Sequence, residues 1–323
     1  MFATFSPASP RELGYQGIRR LVLGWSAAVK TPIANRTPTA PGAGWICDYA
    51  SKHGWEAGGG FGVKVVIFCG GLGVRMGDAT RAIPKPMVSV GTRPTLWHIM
   101  KWYAAWGHTE FTLCLGYRGE TIKDYFLNYR EALSNDFVLS NGGRDVQLLA
   151  RDMDDWRVTF VDTGMHSTIA ERLKAVEEHI GDDRMFLATY GDGLTDAPLD
   201  DMIGTLERTG KTALFISVKP RVEYHLVKAD GDGIVSSVDP FARADVWING
   251  GFFVLRREIF DELNPGEELI DQPFKRLIER GELVAYRYEG FWEPMDTIKD
   301  KQKLDELVET RRAPWLIGPA QRT

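Results

Sequence analysis

Cysteine is scarce in this chain of 323 residues, and neither sign of charge dominates. The three cysteines, Cys47, Cys69 and Cys114, lack metal-ligand spacing, so they indicate neither a disulfide framework nor a structural metal site, and we expect a reducing, cytoplasmic location. A net charge of −5 gives no reason to expect nucleic acid or an anionic membrane as a partner. No apolar run approaches the roughly 20 residues that span a bilayer.

Residues 1–62 differ in composition from the remainder. Stretches such as "KTPIANRTPTAPGAG" are rich in Pro, Gly, Ser and Thr, a composition that favours loop or disorder. We expect residues 1–62 to form an extension outside the folded domain. One hypothesis is that translation begins at Val63 and that the preceding residues are a mis-called reading frame. A single domain is expected over residues 63–310, with a C-terminal tail over residues 311–323.

Beyond residue 62, continuous apolar segments alternate with segments of helical periodicity. The predicted strands cover residues 63–69, 111–117, 158–163, 185–191, 212–218, 250–255 and 283–289. The predicted helices cover residues 95–107, 119–129, 171–180, 199–210 and 272–282. Continuous apolar strands indicate burial on both faces. We therefore predict an α/β fold, doubly wound around a mostly parallel sheet, with ligands at the carboxyl ends of the strands.

A glycine-rich loop follows the first predicted strand, in "VVIFCGGLGVRM" (residues 65–76). Glycines at Gly70, Gly71 and Gly73 let backbone N–H groups approach an anion closely. The dinucleotide fingerprint G-x-G-x-x-G fails because Met76 stands at the third glycine position, and no G-K-[ST] follows to complete a P-loop. Glycines alone leave a plain tight turn as the alternative.

Two cations near the loop favour a phosphate site over that plain turn. Arg75 closes the glycine stretch, and Lys85 stands between Pro84 and Pro86, which restrict the backbone around it. A conformationally restricted lysine beside a glycine loop and an arginine suits a polyphosphate.

The motif "GGLGVRM…PKPMVSVGTRPTLWHIMKWY" resembles the signature of the sugar-phosphate nucleotidylyltransferases, and most of all the glucose-1-phosphate cytidylyltransferases. Further similar stretches are "LGYRGETIKDYF", "TYGDGLTD", "WINGGFFVL" and "EGFWEPMDTIKDK". They keep the family's order from Val63 to about Leu307. The resemblance implies a Rossmann-like fold of the nucleotide-diphospho-sugar transferase type, a homo-oligomer, and small-molecule substrates.

The resemblance also implies a reaction. A phosphate oxygen of a sugar 1-phosphate attacks the α-phosphorus of a nucleoside triphosphate, CTP in the cytidylyltransferases, and pyrophosphate leaves. The attacking phosphate has a second pKa of about 6, so no general base is needed. Repulsion between two anions implies a divalent cation, Mg²⁺, for which Asp192 and Asp296 occupy the family's metal-ligand positions.

Other site residues follow from the same resemblance. The loop of Gly70, Gly71, Leu72, Gly73 and Arg75 is expected to wrap the triphosphate, with Arg75 and Lys85 as the catalytic cations. Further expected contacts are Arg172 on phosphate, Gly116 and Tyr117 at the base, and Asn249 and Gly250 on the acceptor side.

The departures from the family pattern fall mostly on the acceptor side. Val74 replaces a threonine, Ala170 and Glu171 replace two glycines, and Asp239 stands where the family has a lysine that holds the sugar phosphate. We hypothesise an altered acceptor, either a modified sugar phosphate or a non-sugar phosphate. The cations near Asp239 in sequence that could replace the lost lysine are Lys219, Arg221 and Arg243.

Two hypotheses from other functional classes remain open at this point. One is a non-catalytic protein that binds a nucleotide-sugar, which Val74 and Asp239 favour. The other is a nicotinamide-dependent oxidoreductase, which the missing third glycine disfavours.

Overall fold

The computed structural model describes residues 62–71, 83–220 and 224–316. Its strands are β1 (Val65–Phe68), β2 (Ser89–Val90), β3 (Arg93–Pro94), β4 (Glu110–Leu115), β5 (Phe137–Ser140), β6 (Asp145–Leu148), β7 (Arg157–Asp162), β8 (Met185–Tyr190), β9 (Gly193–Thr195), β10 (Ala213–Val218), β11 (His225–Ala229), β12 (Val235–Pro240), β13 (Ile248–Arg256), β14 (Leu283–Tyr288) and β15 (Trp292–Pro294). The α-helices are α1 (Thr95–Ala105), α2 (Gly119–Leu127), α3 (Glu131–Ser134), α4 (Ile169–Ala175), α5 (Glu177–Ile180), α6 (Leu199–Thr209), α7 (Gln272–Glu279) and α8 (Ile298–Glu309). None of the helices in these ranges has the length and apolar composition of a membrane-spanning segment.

A seven-stranded sheet forms the centre, in the order β14-β10-β13-β8-β1-β4-β7. β1 runs parallel to β4 and β8, β4 parallel to β7, and β10 parallel to β14. β13 runs antiparallel to β8 and β10. The prediction of a mostly parallel, Rossmann-like sheet is confirmed. Because β1, β4 and β8 are parallel neighbours, the segments that follow them meet at one edge of the sheet.

The sheet strands are buried because both of their faces are covered. All four residues of β1 are buried, as are the last five residues of β4 and the first five of β8. Cys69 and Cys114 are buried free cysteines, and burial raises the pKa of both thiols. They therefore behave as small apolar core residues.

Two antiparallel hairpins, β5–β6 and β11–β12, lie outside this core and were not predicted. Their side chains are largely exposed, among them Leu139 at 58% and Val227 at 60%. Each hairpin forms its own two-stranded sheet. The helix predicted over residues 171–180 is interrupted at Val176, which has φ −105° and ψ 7° and separates α4 from α5.

The described residues just beyond 310 pack onto the domain. Trp315 is 1% exposed, stacks on Phe291 and donates a hydrogen bond from Nε1 to His98 Nδ1 at 3.1 Å. The folded domain therefore continues past the boundary predicted at residue 310. The predictions for residues 1–61 and for the end of the tail, residues 317–323, lie outside the described residues.

Glu171, which stands at a glycine position of the family pattern, has a local structural role. Thr168 and Glu171 form a capping box at the start of α4, in which the Thr168 side chain accepts from Glu171 N and the Glu171 carboxylate accepts from Thr168 N. The same carboxylate accepts a hydrogen bond from Gly266 N at 3.1 Å. Glu171 thus stabilises the helix end and ties it to the loop before α7.

Two buried histidines should make the protein sensitive to acid. Burial lowers the pKa of His98 and of His108 from 6.5 to about 4. Both rings accept a hydrogen bond at Nδ1, from Trp315 Nε1 and Val63 N respectively, which requires the neutral form. The unfolded chain therefore binds more protons below pH 6.5, and each histidine should remove about 3 kcal/mol of stability as the pH falls toward 4.

Urea unfolding at a series of pH values between 7 and 4 measures this effect. The variant His98→Gln/His108→Gln should show a shallower loss of stability with acid than the wild type. Equal pH slopes for the two proteins would exclude the histidines as its source.

Candidate active site

The two aspartates predicted as metal ligands lie together beyond the end of β8. Asp192 follows Gly191 just after the end of β8, and Asp296 follows Met295 just after the end of β15. The β9–β15 ladder pairs Gly193 with Pro294, and Met295 N donates to Asp192 O at 2.8 Å. Two segments that are about a hundred residues apart in sequence are thereby held side by side by backbone hydrogen bonds.

Lys85 lies between these two carboxylates. Its Nζ is 2.6 Å from Asp192 Oδ2 and 2.5 Å from Asp296 Oδ1. Burial opposes the charged form of the lysine, but the two carboxylates outweigh it and raise the pKa of the ammonium group above its ordinary value. The trio carries a net charge of −1, so it still attracts a further cation.

The position of Lys85 depends on a close backbone approach at Gly191. Lys85 opens a short 3-10 helix, Lys85–Met87, whose Pro86 packs against Gly191. A Cβ at position 191 would lie 2.8 Å from Pro86 Cγ and 2.9 Å from Phe68 O. Only glycine lets the lysine-bearing turn sit this close to the end of β8.

Gly191→Ala should therefore displace Lys85 from the aspartates. We expect about 1–3 kcal/mol of destabilisation from overpacking. We also expect a fall in kcat of about tenfold or more, because small misplacements of reacting groups are costly. Urea unfolding and steady-state kinetics measure the two effects. Gly231→Ala is the matched control, since a Cβ there meets nothing within 4 Å; equal behaviour of the two variants would contradict the account.

Only the start of the predicted triphosphate loop is described. Gly70 and Gly71 follow β1, whereas Leu72, Gly73 and Arg75 lie outside the described residues. A Cβ at Gly71 would meet nothing within 4 Å, so this backbone is accessible. A Cβ at Gly70 would lie 2.1 Å from Arg172 Nη1, so the strand end requires glycine there.

Arg172 is 3% exposed and lies beneath this strand end. Its guanidinium donates to the Thr163 hydroxyl and to the carbonyls of Leu115, Gly164, Met165 and Gly70, at distances from 2.8 to 3.3 Å. The side chain therefore joins the ends of β1, β4 and β7. In this structure it contacts backbone and one hydroxyl, and its predicted phosphate contact stays a prediction.

The residues predicted at the base, Gly116 and Tyr117, lie at the carboxyl end of β4. A Cβ at Gly116 would lie 2.9 Å from Gly70 Cα, so the glycine is required for the close approach of the two strand ends. Tyr117 is half-buried, and its hydroxyl accepts from Arg118 Nε at 3.2 Å. Gly116 therefore lies beside the start of the glycine loop, and the contact of Gly116 and Tyr117 with the base stays a prediction.

A pocket of about 270 Å³ joins the aspartates to the predicted acceptor residues. Its walls include Asp192, Asp296, Asn249 and Gly250. These four predicted site residues, drawn from three separate motifs, are thus brought together in one cavity.

Two aromatic residues of this pocket were missed by the sequence prediction. Trp292 lines the cavity and donates from Nε1 to Gly250 O at 2.8 Å. Tyr190 lies beside Gly251, where φ is +78° and a Cβ would lie 2.3 Å from the ring. Burial raises the pKa of Tyr190 to about 12, and its hydroxyl shares a hydrogen bond with the Asn249 side chain. Their positions next to the motifs "GDG" and "EPMD" are the sequence feature that could have identified Tyr190 and Trp292 as pocket residues.

Asp239 is placed differently from the other predicted acceptor residues. It lies on β12, opposite Leu226 of β11, in the exposed hairpin. It is not one of the residues that line the described pocket. The structure therefore does not join Asp239 to Asn249 and Gly250.

The two aspartates suit a divalent cation, because both are carboxylates and both are directed at the same point. Both carboxylates point at the same Lys85 Nζ, so their oxygens also converge on a point that one small cation can share. Across the described ranges, no group of three or more His, Cys, Asp or Glu is placed to hold a metal. Two hard carboxylate ligands suit Mg²⁺, which is commonly held by one or two carboxylates together with water and substrate phosphates.

The family model described as nucleotidyl transferase matches residues 64–305. The glucose-1-phosphate cytidylyltransferases of Salmonella typhi and Salmonella typhimurium are each 39% identical over 255 residues, which cover 78% of this chain and 98% of those proteins. Among solved structures, the UTP-bound UGPase from Acinetobacter baumannii is similar at a TM-score of 0.57 and 18% identity, with 77% of this chain and 94% of that chain covered. The structural likeness supports the fold, and the sequence likeness extends over the whole site.

Proposed function

Because the chain belongs to the nucleotidyl transferase family, we propose that it transfers a cytidylyl group from CTP to the phosphate of a sugar 1-phosphate. An oxygen of the acceptor phosphate forms a bond to the α-phosphorus, the bond from that phosphorus to the β-phosphate bridging oxygen breaks, and pyrophosphate leaves with the electron pair. The products are a CDP-sugar and pyrophosphate.

The observation that carries this proposal is the convergence of Asp192, Asp296 and Lys85 at one end of the pocket that Asn249 and Gly250 line. A non-catalytic binding protein has little use for a carboxylate pair held so close to a lysine. The constellation also contains no nucleophile. This suits a transfer in which the acceptor's own dianionic phosphate attacks.

The residues of the chain serve alignment and charge stabilisation. Asp192 and Asp296 would hold Mg²⁺, which when bound supplies positive charge to the phosphates at the reacting centre. Lys85 places an ammonium group beside the same centre, where charge on the transferred group is stabilised by a fixed cation. The exposed backbone at Gly71 is proposed to bind the triphosphate, together with Arg75 further along the same loop.

The order of the strands in the sheet supports a position for each of the two substrates. The glycine loop follows β1, the aspartate follows β8 and Asn249 lies on β13, and these three strands are adjacent. The nucleotide is therefore proposed to lie over β4 and β1, with the acceptor over β13 and beyond. A cytoplasmic, homo-oligomeric enzyme is part of the same proposal.

A panel of nucleotides tests the function. The purified chain is incubated with Mg²⁺, glucose 1-phosphate and each of CTP, UTP, GTP, dTTP and ATP, and pyrophosphate release is followed. We expect CTP to give the highest kcat/KM. Binding of CTP without release of pyrophosphate from it, whichever acceptor is supplied, would instead support a non-catalytic binding protein.

A further inference from the structure

A cationic surface lies beyond the acceptor pocket, at the carboxyl ends of β10 and β14. The Lys219 ammonium and the Arg287 guanidinium each lie 5.1 Å from the ring centroid of Trp247. Trp247 immediately precedes Ile248, which lines the pocket. We name Lys219, Arg287 and Trp247 the Trp247 cluster.

The strand register places this cluster on the same face of the sheet as Asn249. Ser217 of β10 pairs with Asn249 on one side and with Arg287 on the other. Residues that pair across neighbouring strands point to the same face, so Asn249, Ser217 and Arg287 form one row. The acceptor pocket and the Trp247 cluster therefore lie on one face of the sheet.

The charges around the cluster leave Arg287 available. Glu289 lies 3.5 Å from Lys219, and both side chains are well exposed, so this pair holds the lysine weakly. The Asp245 carboxylate accepts a hydrogen bond from Trp247 Nε1 at 2.7 Å. Arg287 has no carboxylate partner among residues 62–71, 83–220 and 224–316. A guanidinium held against an indole ring presents its N–H edge for bidentate binding of a carboxylate or phosphate.

The distance between Asp192 and the Trp247 cluster indicates which part of the acceptor the cluster can contact. Asp192 follows β8, and β14 is three strands away in the order β8-β13-β10-β14, a separation of about 14 Å between strands. The transferring phosphate must stay beside Asp192 and Lys85. The Trp247 cluster consequently faces the opposite end of an acceptor that lies across Asn249.

We propose that Arg287 and Lys219 bind a second anionic group of the acceptor, so that the substrate is a sugar 1-phosphate bearing a carboxylate or a further phosphate at its remote end. This inference rests on the proposed cytidylyl transfer. It also accounts for the altered acceptor side. Asp239 stands at the position of the family's lysine, whereas Lys219 and Arg287 lie further out along the sheet. Arg243 is exposed in the turn after β12, and Arg221 lies outside the described residues.

The test compares three acceptors with CTP and Mg²⁺ by pyrophosphate release. They are glucose 1-phosphate, glucuronic acid 1-phosphate and glucose 1,6-bisphosphate, which present a neutral, a carboxylate and a phosphate group at the remote end. We expect at least one anionic acceptor to exceed glucose 1-phosphate in kcat/KM by about tenfold or more, the effect of a charge-assisted hydrogen bond. The better of the two identifies the group.

Variants then assign the effect to the cluster. Arg287→Gln and Lys219→Gln should each lower the ratio of kcat/KM between the anionic acceptor and glucose 1-phosphate, mainly through KM. Lys211→Gln is the matched control, because Lys211 pairs with Glu282 at the opposite end of β10; its ratio should equal that of the wild type.

The possible failures are distinguishable. Turnover of glucose 1-phosphate with no gain for either anionic acceptor overturns the inference and leaves the proposed function standing. A gain that survives both Arg287→Gln and Lys219→Gln also overturns it. Failure of all three acceptors with CTP contradicts the proposed function itself, and the inference with it.

Discussion

Asp192→Asn or Asp296→Asn should lower kcat/KM by about three orders of magnitude, since loss of a carboxylate ligand removes several kcal/mol of charge stabilisation at the phosphates. Asparagine keeps the shape of the side chain but removes the negative charge that a divalent cation requires. Both variants should also need more Mg²⁺ for half-maximal activity. Steady-state kinetics across a Mg²⁺ titration measure both effects.

Asp196→Asn is the control for these variants because it lies in the same segment. Asp196 Oδ1 accepts from Phe291 N at 2.9 Å and from the Tyr288 hydroxyl at 2.5 Å, contacts that fasten β14 and β15 rather than a substrate. Its replacement should reduce stability by about 1 kcal/mol and leave the Mg²⁺ dependence unchanged. If Asp192→Asn and Asp196→Asn had the same Mg²⁺ dependence, Asp192 would not be a metal ligand.

Lys85→Met should lower kcat by about three orders of magnitude, because a fixed cation beside the transferred phosphate is lost. A second effect is independent of catalysis. Without the ammonium group, the carboxylates of Asp192 and Asp296 face each other unneutralised. Adding Mg²⁺ should then raise the Tm of Lys85→Met by more than it raises that of the wild type.

Thermal unfolding with and without Mg²⁺ measures this difference. Lys64→Met is the matched control: Lys64 pairs with Asp183 at 3.1 Å and donates to Ile180 O, away from the aspartate pair. That variant should show the wild-type response to Mg²⁺. A Lys85→Met protein that responds no more than the wild type would contradict the proposal that Lys85 lies between two metal ligands.

The fold was largely predictable because its central strands are buried on both faces. Each strand of the main sheet, from Val65–Phe68 to Leu283–Tyr288, coincides with a predicted apolar run to within a few residues. The β5–β6 and β11–β12 hairpins escaped prediction because their side chains face solvent and no core imposes a periodic pattern on them. The break at Val176 was missed because its apolar spacing continues that of the helix.

The candidate site was predictable where the residues stand in short sequence motifs. Asp192, Asp296 and Lys85 stand in recognisable motifs, and the structure brings them within hydrogen-bonding distance. Arg172 shows the limit of such reasoning, because its five acceptors come from three separate strand ends that only the fold brings together. Arg287 could not be singled out either, since its relation to Trp247 depends on the register of β10 with β13 and β14.

The most direct measurement of the central claim is ³¹P NMR of the wild-type chain with CTP, Mg²⁺ and the best of the three sugar 1-phosphates. The account predicts that the signals of CTP and of the sugar phosphate decline together. A pair of coupled diphosphate resonances from the CDP-sugar should replace them, with pyrophosphate in equal amount. Asp192→Asn should leave the spectrum unchanged over the same period. Release of CMP or inorganic phosphate without a CDP-sugar, or persistence of both substrates with the wild type, would contradict the assignment of this chain as a cytidylyl-transferring enzyme.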